Sequence, residues 1–179
     1  LLYDKGRLLE HALGQHPVAL GVYEEALALD PGNVLILKAL ERGHRRDGTW
    51  SKLAAVYDKL ANVVSEPSLR AVFLARRAYL TENRIGDPVA AASYYEAAAE
   101  ADPHATDALS QVKRLGVSHG RWASVANALR TEHALTGDPE TRHALLVALA
   151  RVRERHLGDD EGAVAALEEA LAGRPDDRS

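Results

Sequence analysis

The apolar residues of this chain are mostly Ala and Leu, and they show almost no alternation of period two, so the pattern is helical. Gly and Pro punctuate it in the way that helix ends require. Gly86 suits the left-handed end of one helix, Asp87 the N-cap of the next, and Pro88 its first turn. The pattern predicts ten helices, at residues 1–13, 16–30, 33–46, 49–65, 68–85, 88–101, 104–118, 121–136, 139–157 and 160–173.

A long internal repeat underlies these helices. Residues 14–31, 86–103 and 158–175 align without gaps at an offset of 72. The matched sets are Gly14, Gly86 and Gly158; Ala19, Ala91 and Ala163; Glu24, Glu96 and Glu168; and Pro31, Pro103 and Pro175. The same offset relates Trp50 to Trp122, and Glu10 to Glu82 and Glu154. So many matches in one register indicate a repeat architecture.

A shorter period divides the 72-residue unit into two helical hairpins. The turn glycines are spaced 34, 38, 34 and 38 residues apart, at Gly14, Gly48, Gly86, Gly120 and Gly158. The four extra residues amount to about one α-helical turn. We therefore expect one array over residues 1–179, with hairpins at about 1–31, 32–66, 67–103, 104–137 and 138–175, and we expect it to be part of a longer array.

The spacing of residues after each glycine resembles that of tetratricopeptide repeats. Gly86 is followed by Ala91, Tyr95, Ala98 and Pro103, and Gly14 by a matching series that includes Tyr23, Ala26 and Pro31. Gly48 and Gly120 begin a Gly-x-aromatic turn that ends at Trp50 and Trp122. The chain resembles a divergent, bacterial-type array of this family. The resemblance implies an all-α, right-handed α-solenoid of about ten antiparallel helices, in five hairpins.

The recurring side chains are interpreted as packing positions. Small residues recur at Gly6, Ala78 and Ala150, where they allow close helix approach, and Tyr23, Tyr95 and Leu167 are expected to fill the space between helices. Trp50 and Trp122 are interpreted as packing anchors. Glu10, Glu82 and Glu154 are expected to make a repeated buried or inter-repeat hydrogen bond.

Composition narrows the classes of function. The net charge of −4 argues against a general nucleic-acid binder, and the absence of Cys excludes disulfides and thiol chemistry. No apolar run is long enough for a membrane span. We expect a cytoplasmic protein, and because the chain begins at Leu1 we expect its native start to be missing.

The sequence holds no recognisable catalytic motif. Its eight histidines form no HExxH pattern and no i, i+4 pair on a helix, so we interpret them as exposed or helix-end residues. It has no Gly-rich phosphate loop and no Gly-x-Ser-x-Gly. We therefore expect no enzyme activity, no cofactor and no metal.

The remaining feature is a candidate binding surface. The resemblance implies that the first helix of each hairpin lines a concave face. Lys38, Arg42 and Arg45 form one stripe on such a helix, at i, i+4 and i+7. With the matching positions of the other first helices, the candidate partner-binding residues are Lys38, Arg42, Arg45, Arg76, Asn83, Ser110, Arg114 and Arg155. A solvated charged face explains the same residues equally well.

Three functions are consistent with this pattern. The first is a non-catalytic scaffold that binds a partner protein or peptide, such as an acidic and partly apolar segment, or a second copy of the chain. The alternative is a regulatory or sensor module of a larger signalling or transcription-regulating protein. A catalytic role of the His and acidic residues ranks last.

Overall fold

A computed structural model of the chain describes residues 1–173, and these contain ten α-helices, two π-helical turns and no strand. The helices are α1 (Leu2–His11), α2 (His16–Leu29), α3 (Val34–Arg46), α4 (Trp50–Val63), α5 (Pro67–Leu80), α6 (Pro88–Ala101), α7 (Thr106–His119), α8 (Trp122–Leu135), α9 (Pro139–Val152) and α10 (Asp160–Ala172). The predicted all-α fold of helical hairpins is confirmed. The predicted end of the last hairpin, at Pro175, lies outside the described residues.

The helices follow the 72-residue period. Helix α3 begins at Val34 and α7 at Thr106, while α4 and α8 begin at Trp50 and Trp122, in each case 72 residues apart. The five turn glycines all have positive φ angles, between 62° and 85°. At Gly86 this left-handed conformation ends one helix, and Asp87 Oδ1 then accepts from the Ala90 backbone N–H, as an N-cap does.

The four extra residues of the longer hairpins do not form the α-helical turn expected from the sequence. Helix α5 continues into a π-helical turn at Thr81–Ile85, and α9 continues into another at Arg153–Leu157. These two turns also lie 72 residues apart. Each ends at a left-handed glycine, Gly86 or Gly158. The insertion is therefore accommodated by widening the last turn, which is a common form of π-helix in proteins.

The chain divides into two compact units. Unit 1 is Leu1–Tyr94, and unit 2 is Tyr95–Ser179, of which residues 95–173 are described. The core of unit 1 contains large buried side chains from α3, α4 and α5, including Leu37, Leu60 and Phe73. The core of unit 2, around α8, α9 and α10, is built from smaller ones, with Leu146, Leu149 and five buried alanines among its members.

Close helix approach in unit 1 depends on a missing side chain. A Cβ atom added at Gly6 would lie 2.5 Å from the Tyr23 ring, which is 1% exposed. The hydroxyl of Tyr23 donates to Glu10 Oε2 at 3.0 Å, which is the buried hydrogen bond expected of Glu10. Glycine at position 6 thus lets α1 lie directly on the tyrosine ring of α2.

The repeat positions are less uniform than the sequence indicates. Leu167 and Glu154, which we expected to be packed and hydrogen-bonded like Tyr23 and Glu10, are both exposed to solvent. The physical reason is visible at Leu167, because leucine lacks the hydroxyl that joins Tyr23 to its glutamate. Helix α10 is also the last helix of the described chain, so no later described helix covers it.

Both tryptophans are half-buried against a core, and each also stacks on a residue of the following π turn. The Arg84 guanidinium lies 4.9 Å from the centre of the Trp50 ring. The His156 ring stacks on Trp122, with centroids 3.5 Å apart and planes 9° apart. Arg84 and His156 are again 72 residues apart, so both copies of the repeat place a planar cation or imidazole over the indole.

Two of the eight histidines interpreted as exposed or helix-end residues are buried, although each lies in the last turn of its helix. His44 is 3% exposed and His133 is 6% exposed. Burial lowers the pKa of His44, although Glu24 opposes the shift. Burial also lowers the pKa of His133, with a smaller contribution from Arg142. Both imidazoles are therefore held neutral inside their units near neutral pH.

Two features are absent from the described residues. None of the helices found there is long and apolar enough to cross a membrane. Within the same residues, no three His, Asp or Glu side chains are placed together so that they could hold a metal ion.

Replacing Gly6 with alanine is expected to lower the free energy of unfolding by about 1–3 kcal/mol, because the buried Tyr23 ring is fixed by its hydrogen bond and cannot move aside. Gly21→Ala is the matched control, since Gly21 is also helical but has open space around it. That variant is expected to gain about 0.5–1 kcal/mol from helix propensity. Urea denaturation measures the free energy of unfolding of both variants. If the two substitutions change it in the same direction, the tight contact at Gly6 is contradicted.

Acid is expected to destabilise the protein through His44 and His133. Their folded pKa values lie below the unfolded value of 6.5, so their stabilising contribution is complete above pH 6.5 and is lost as the pH falls through the folded values. Replacing both with glutamine should lower the melting temperature at pH 8, and the difference from the natural protein should shrink towards pH 5. A difference that stays constant over this range would show that the two histidines do not titrate with unfolding.

Candidate partner-binding surface

The first helices of unit 1 gather three cationic side chains around one carboxylate, Glu41. Lys38 Nζ donates to Glu41 Oε2 at 2.9 Å, and Arg45 Nη2 donates to Glu41 Oε1 at 2.6 Å. Arg76 Nη1, from α5, approaches Glu41 Oε1 at 3.4 Å, and the Tyr57 hydroxyl from α4 approaches it at 3.3 Å. We call Lys38, Glu41, Arg45 and Arg76 the Glu41 cluster.

The carboxylate is buried while its cations reach solvent. The Glu41 side chain is 6% exposed, whereas Lys38 is 40%, Arg45 53% and Arg76 49% exposed. One negative charge at the base thus faces three positive charges at the rim. The Glu41 cluster therefore presents a net positive surface, held at a fixed position by a buried anchor.

The charges in the cluster shift the pKa values of its members. Burial alone would raise the pKa of Glu41, but the hydrogen bonds and charges of Lys38 and Arg45 outweigh it, so the pKa of this carboxyl lies below its usual value. The hydrogen bond to Tyr57 raises the pKa of Arg45 above its usual value, against the effect of burial. Glu41 and Arg45 therefore both carry their charge at neutral pH.

An aromatic ring lies beneath two of the cations. Lys38 Nζ is 4.6 Å from the centre of the Phe73 ring, and the Arg76 guanidinium carbon is 5.9 Å from it. Phe73 itself is 2% exposed and stacks on Tyr57 with ring centroids 6.2 Å apart. The ring faces orient the cations by cation–π attraction, in addition to the pull of Glu41.

Arg42 lies on the same stripe of α3 and pairs with a different buried carboxylate. Its Nη2 is 3.5 Å from Glu10 Oε2, and Arg42 is 49% exposed. Glu10 also accepts the hydrogen bond from Tyr23, and burial together with this bond raises the pKa of Tyr23 to about 12. Arg42 thus continues the line of half-exposed cations from α3 towards α1.

The other four predicted residues lie elsewhere. Asn83 Nδ2 donates to the Tyr79 carbonyl of its own helix, and Arg114 Nε donates to Gln111 Oε1 on α7. Ser110, also on α7, and Arg155, in the second π turn, are exposed. Of the eight predicted side chains, the structure unites Lys38, Arg45 and Arg76 on one carboxylate and places Arg42 beside them; it shows no comparable cluster among the others in the described chain.

Glu41, which organises the surface, was not among the residues predicted from the sequence. Its signal was present, because Glu41 lies three residues after Lys38 and four before Arg45, the spacings at which opposite charges pair on a helix.

The fold and this surface define a helical repeat protein built from paired antiparallel helices. Residues 145–179 match the model of the tetratricopeptide repeat family, and no curated protein sequence matches the chain. This match confirms, for residues 145–179, the resemblance expected from the sequence.

Solved structures of tetratricopeptide repeat proteins are similar to the chain at low sequence identity. YrrB, described as a tetratricopeptide repeat protein with an unusual peptide-binding site, is 16% identical with a TM-score of 0.48, over 98% of this chain and 86% of YrrB. MamA is 16% identical with a TM-score of 0.46, over 97% and 90% of the two chains. TTC0263, a thermophilic protein of Thermus thermophilus, is 22% identical with a TM-score of 0.35, over 98% and 91%.

Replacing Glu41 with glutamine is expected to destabilise the protein by about 1–3 kcal/mol at pH 7, because three converging cations lose their counter-charge; partial solvent exposure of the cations limits the loss. Since the folded pKa of Glu41 is lowered, its contribution is complete above the usual value of 4.5 and is lost as the pH falls through the folded value. Chemical denaturation should therefore show a difference between the two proteins that narrows in acid. Glu25→Gln, at an exposed position of α2, is the control and should change stability by less than about 0.5 kcal/mol.

Proposed function

We propose that the chain is a non-catalytic protein–protein interaction scaffold, and that unit 1 binds an acidic, partly apolar segment of a partner protein on helices α1, α3 and α5. Proteins of the tetratricopeptide repeat fold generally mediate protein–protein interactions. The observation that carries the proposal is the convergence of three half-exposed cations on the buried carboxylate of Glu41.

The cluster is suited to binding carboxylates because its donors outnumber the internal acceptor. An arginine carries five N–H donors in a planar fork and a lysine carries three, while Glu41 is one carboxylate shared by three cations. Carboxylates of a partner can therefore bind at the rim while Glu41 keeps the cations in place. Ion pairs of this kind are stronger and more specific when the cations are oriented beforehand.

The partner is expected to be partly apolar because exposed apolar side chains extend the same stripes. Leu35 is 62% exposed and precedes Lys38 by three residues on α3. On α5, Leu69 and Val72 are 38% and 43% exposed and precede Arg76 by seven and four residues. Each helix thus presents apolar residues and then cations along one face, which suits an extended segment or a helix of alternating acidic and apolar residues.

Neutralising the cluster is expected to weaken the binding of such a segment. The probe is a fluorescein-labelled peptide of alternating Glu and Leu residues, followed by fluorescence anisotropy. The triple variant K38Q/R45Q/R76Q should bind at least about tenfold more weakly, equivalent to about 1.4 kcal/mol, and its affinity should depend less on salt.

The matched control removes the same charge from other parts of unit 1. Arg46, Lys52 and Lys59 are exposed, and Arg46 and Lys52 pair with Asp47 and Glu24 away from Glu41. R46Q/K52Q/K59Q should bind the peptide within about twofold of the natural protein. If both triple variants bind the peptide equally weakly, the loss of affinity comes from net charge and not from the Glu41 cluster. If K38Q/R45Q/R76Q binds the peptide as tightly as the natural protein, the proposed binding surface is wrong.

A further inference from the structure

Unit 2 contains an open cavity beside the residue that corresponds to Phe73 of unit 1. The cavity has a volume of about 440 Å³ and lies between α7, α8 and α9. It is lined by Leu109, Leu135 and Leu145, by three threonines, and by the ion pair of Lys113 with Glu132, whose Nζ and Oε2 atoms are 2.5 Å apart. This volume falls within the range of small-molecule and side-chain binding pockets.

The 72-residue repeat identifies what occupies the equivalent place in unit 1. Leu145 of α9 corresponds to Phe73 of α5, and Leu109 of α7 corresponds to Leu37 of α3. In unit 1, Leu37 and Phe73 belong to one buried cluster, and the phenyl ring is 2% exposed. Unit 2 has leucine where unit 1 has this ring, and its cavity opens beside that leucine.

Three further replacements keep the cavity open and make its wall more polar. Glu132, Thr136 and Thr141 of unit 2 stand at the positions of Leu60, Val64 and Leu69 in unit 1. Leu60 is fully buried in unit 1, with Val64 packed against the same cluster. In unit 2 these positions carry oxygen atoms, so the wall can face solvent or a ligand without the cost of exposed apolar surface.

We propose that this cavity binds an aromatic side chain of a partner protein, whose ring lies beside Leu145 and supplies an aromatic contact like the one that Phe73 makes in unit 1. An aromatic ring suits a pocket with leucine walls because it buries a large apolar area with few rotatable bonds. The Lys113–Glu132 pair carries no net charge, so the pocket as a whole favours an uncharged ring over a charged group. Lys113 is 30% exposed and Glu132 18% exposed, so both keep contact with solvent while they flank the ring.

The cavity continues the candidate partner-binding stripe of α7. Ser110 and Arg114, which the sequence singled out, follow Leu109 and Lys113 directly along that helix, and both are exposed. A partner segment that crosses α7 therefore meets polar side chains and the cavity together. This site is separate from the Glu41 cluster and does not depend on the acidic-segment proposal for unit 1.

Methyl-labelled protein and two small probes test the assignment by NMR titration. The first probe is N-acetyl-phenylalanine amide, and the second is N-acetyl-leucine amide. The aromatic probe should shift the methyl signals of Leu109, Leu135 and Leu145 and should bind at least about threefold more tightly than the aliphatic one. The variant L145F restores the residue of unit 1 and should weaken the aromatic probe at least about tenfold, with stability equal to or above that of the natural protein.

Two more variants test whether the aromatic probe binds in the cavity itself. L171F introduces the same residue at an exposed position of α10 and should leave probe binding unchanged. If L145F does not fold, the variant T136V/T141L takes its place. It introduces the residues that unit 1 has at these positions, Val64 and Leu69, and it should narrow the cavity and weaken binding of the aromatic probe. K38Q/R45Q/R76Q should bind the probe normally, so a failure of the unit 1 proposal is distinguishable from a failure here.

Several outcomes would overturn the proposal. One is equal binding of the two probes, and another is equal binding to the natural protein and to L145F. Absence of cavity shifts at the solubility limit of the aromatic probe would do the same. The methyl signals of the cavity could also shift when the protein concentration is raised without a probe. That result would show that the pocket binds a second copy of the chain, whose Tyr79 is 54% exposed, and it would contradict binding of a different partner protein.

Discussion

A helical hairpin has two apolar faces and can bury only one of them within itself, so each hairpin must be covered by the next. In unit 1 the second helices α2 and α4 lie against the first helices α3 and α5, and in unit 2 α8 lies against α9. Small residues such as Ala19, Ala78 and Ala163 are buried within the two units. Within each unit, the other features are arranged on these packed helices.

The first helices α3 and α7 show how side chains vary on this common frame. Glu41 and Lys113 occupy the same position of the repeat and carry opposite charges. In unit 1 the glutamate gathers cations above a phenylalanine ring, whereas in unit 2 the lysine pairs with a glutamate beside an open cavity. One scaffold thus supports an ionic surface in one unit and a pocket in the other, which is how repeat proteins diversify recognition while the fold stays constant.

Helix positions could be predicted from the sequence because their signals are local. Turn glycines, N-cap aspartates and helix-starting prolines lie next to the boundaries they set, and the predicted helices agree with the structure within two residues apart from the π turns. The π turns could not be predicted, because a four-residue insertion fits an α turn equally well. The stacking of Arg84 and His156 on the two tryptophans depends on where the widened turn ends.

The site was only partly predictable, for a different reason. Helical spacing places Lys38, Arg42 and Arg45 on one stripe, and it also places Glu41 beside them, but spacing does not show which side chain is buried. The burial of Glu41 depends on Tyr57 of α4 and Arg76 of α5, which are distant in sequence. The cavity of unit 2 is likewise the outcome of several substitutions on three helices, each ordinary when considered alone.

The chain has two tryptophans, Trp50 in unit 1 and Trp122 in unit 2, and their surroundings differ although their repeat position is the same. One indole faces a guanidinium and the other an imidazole. The intrinsic fluorescence of Trp50 therefore reports on unit 1 and that of Trp122 on unit 2, without an added dye. Single-tryptophan versions would reveal whether the halves melt together or one after the other.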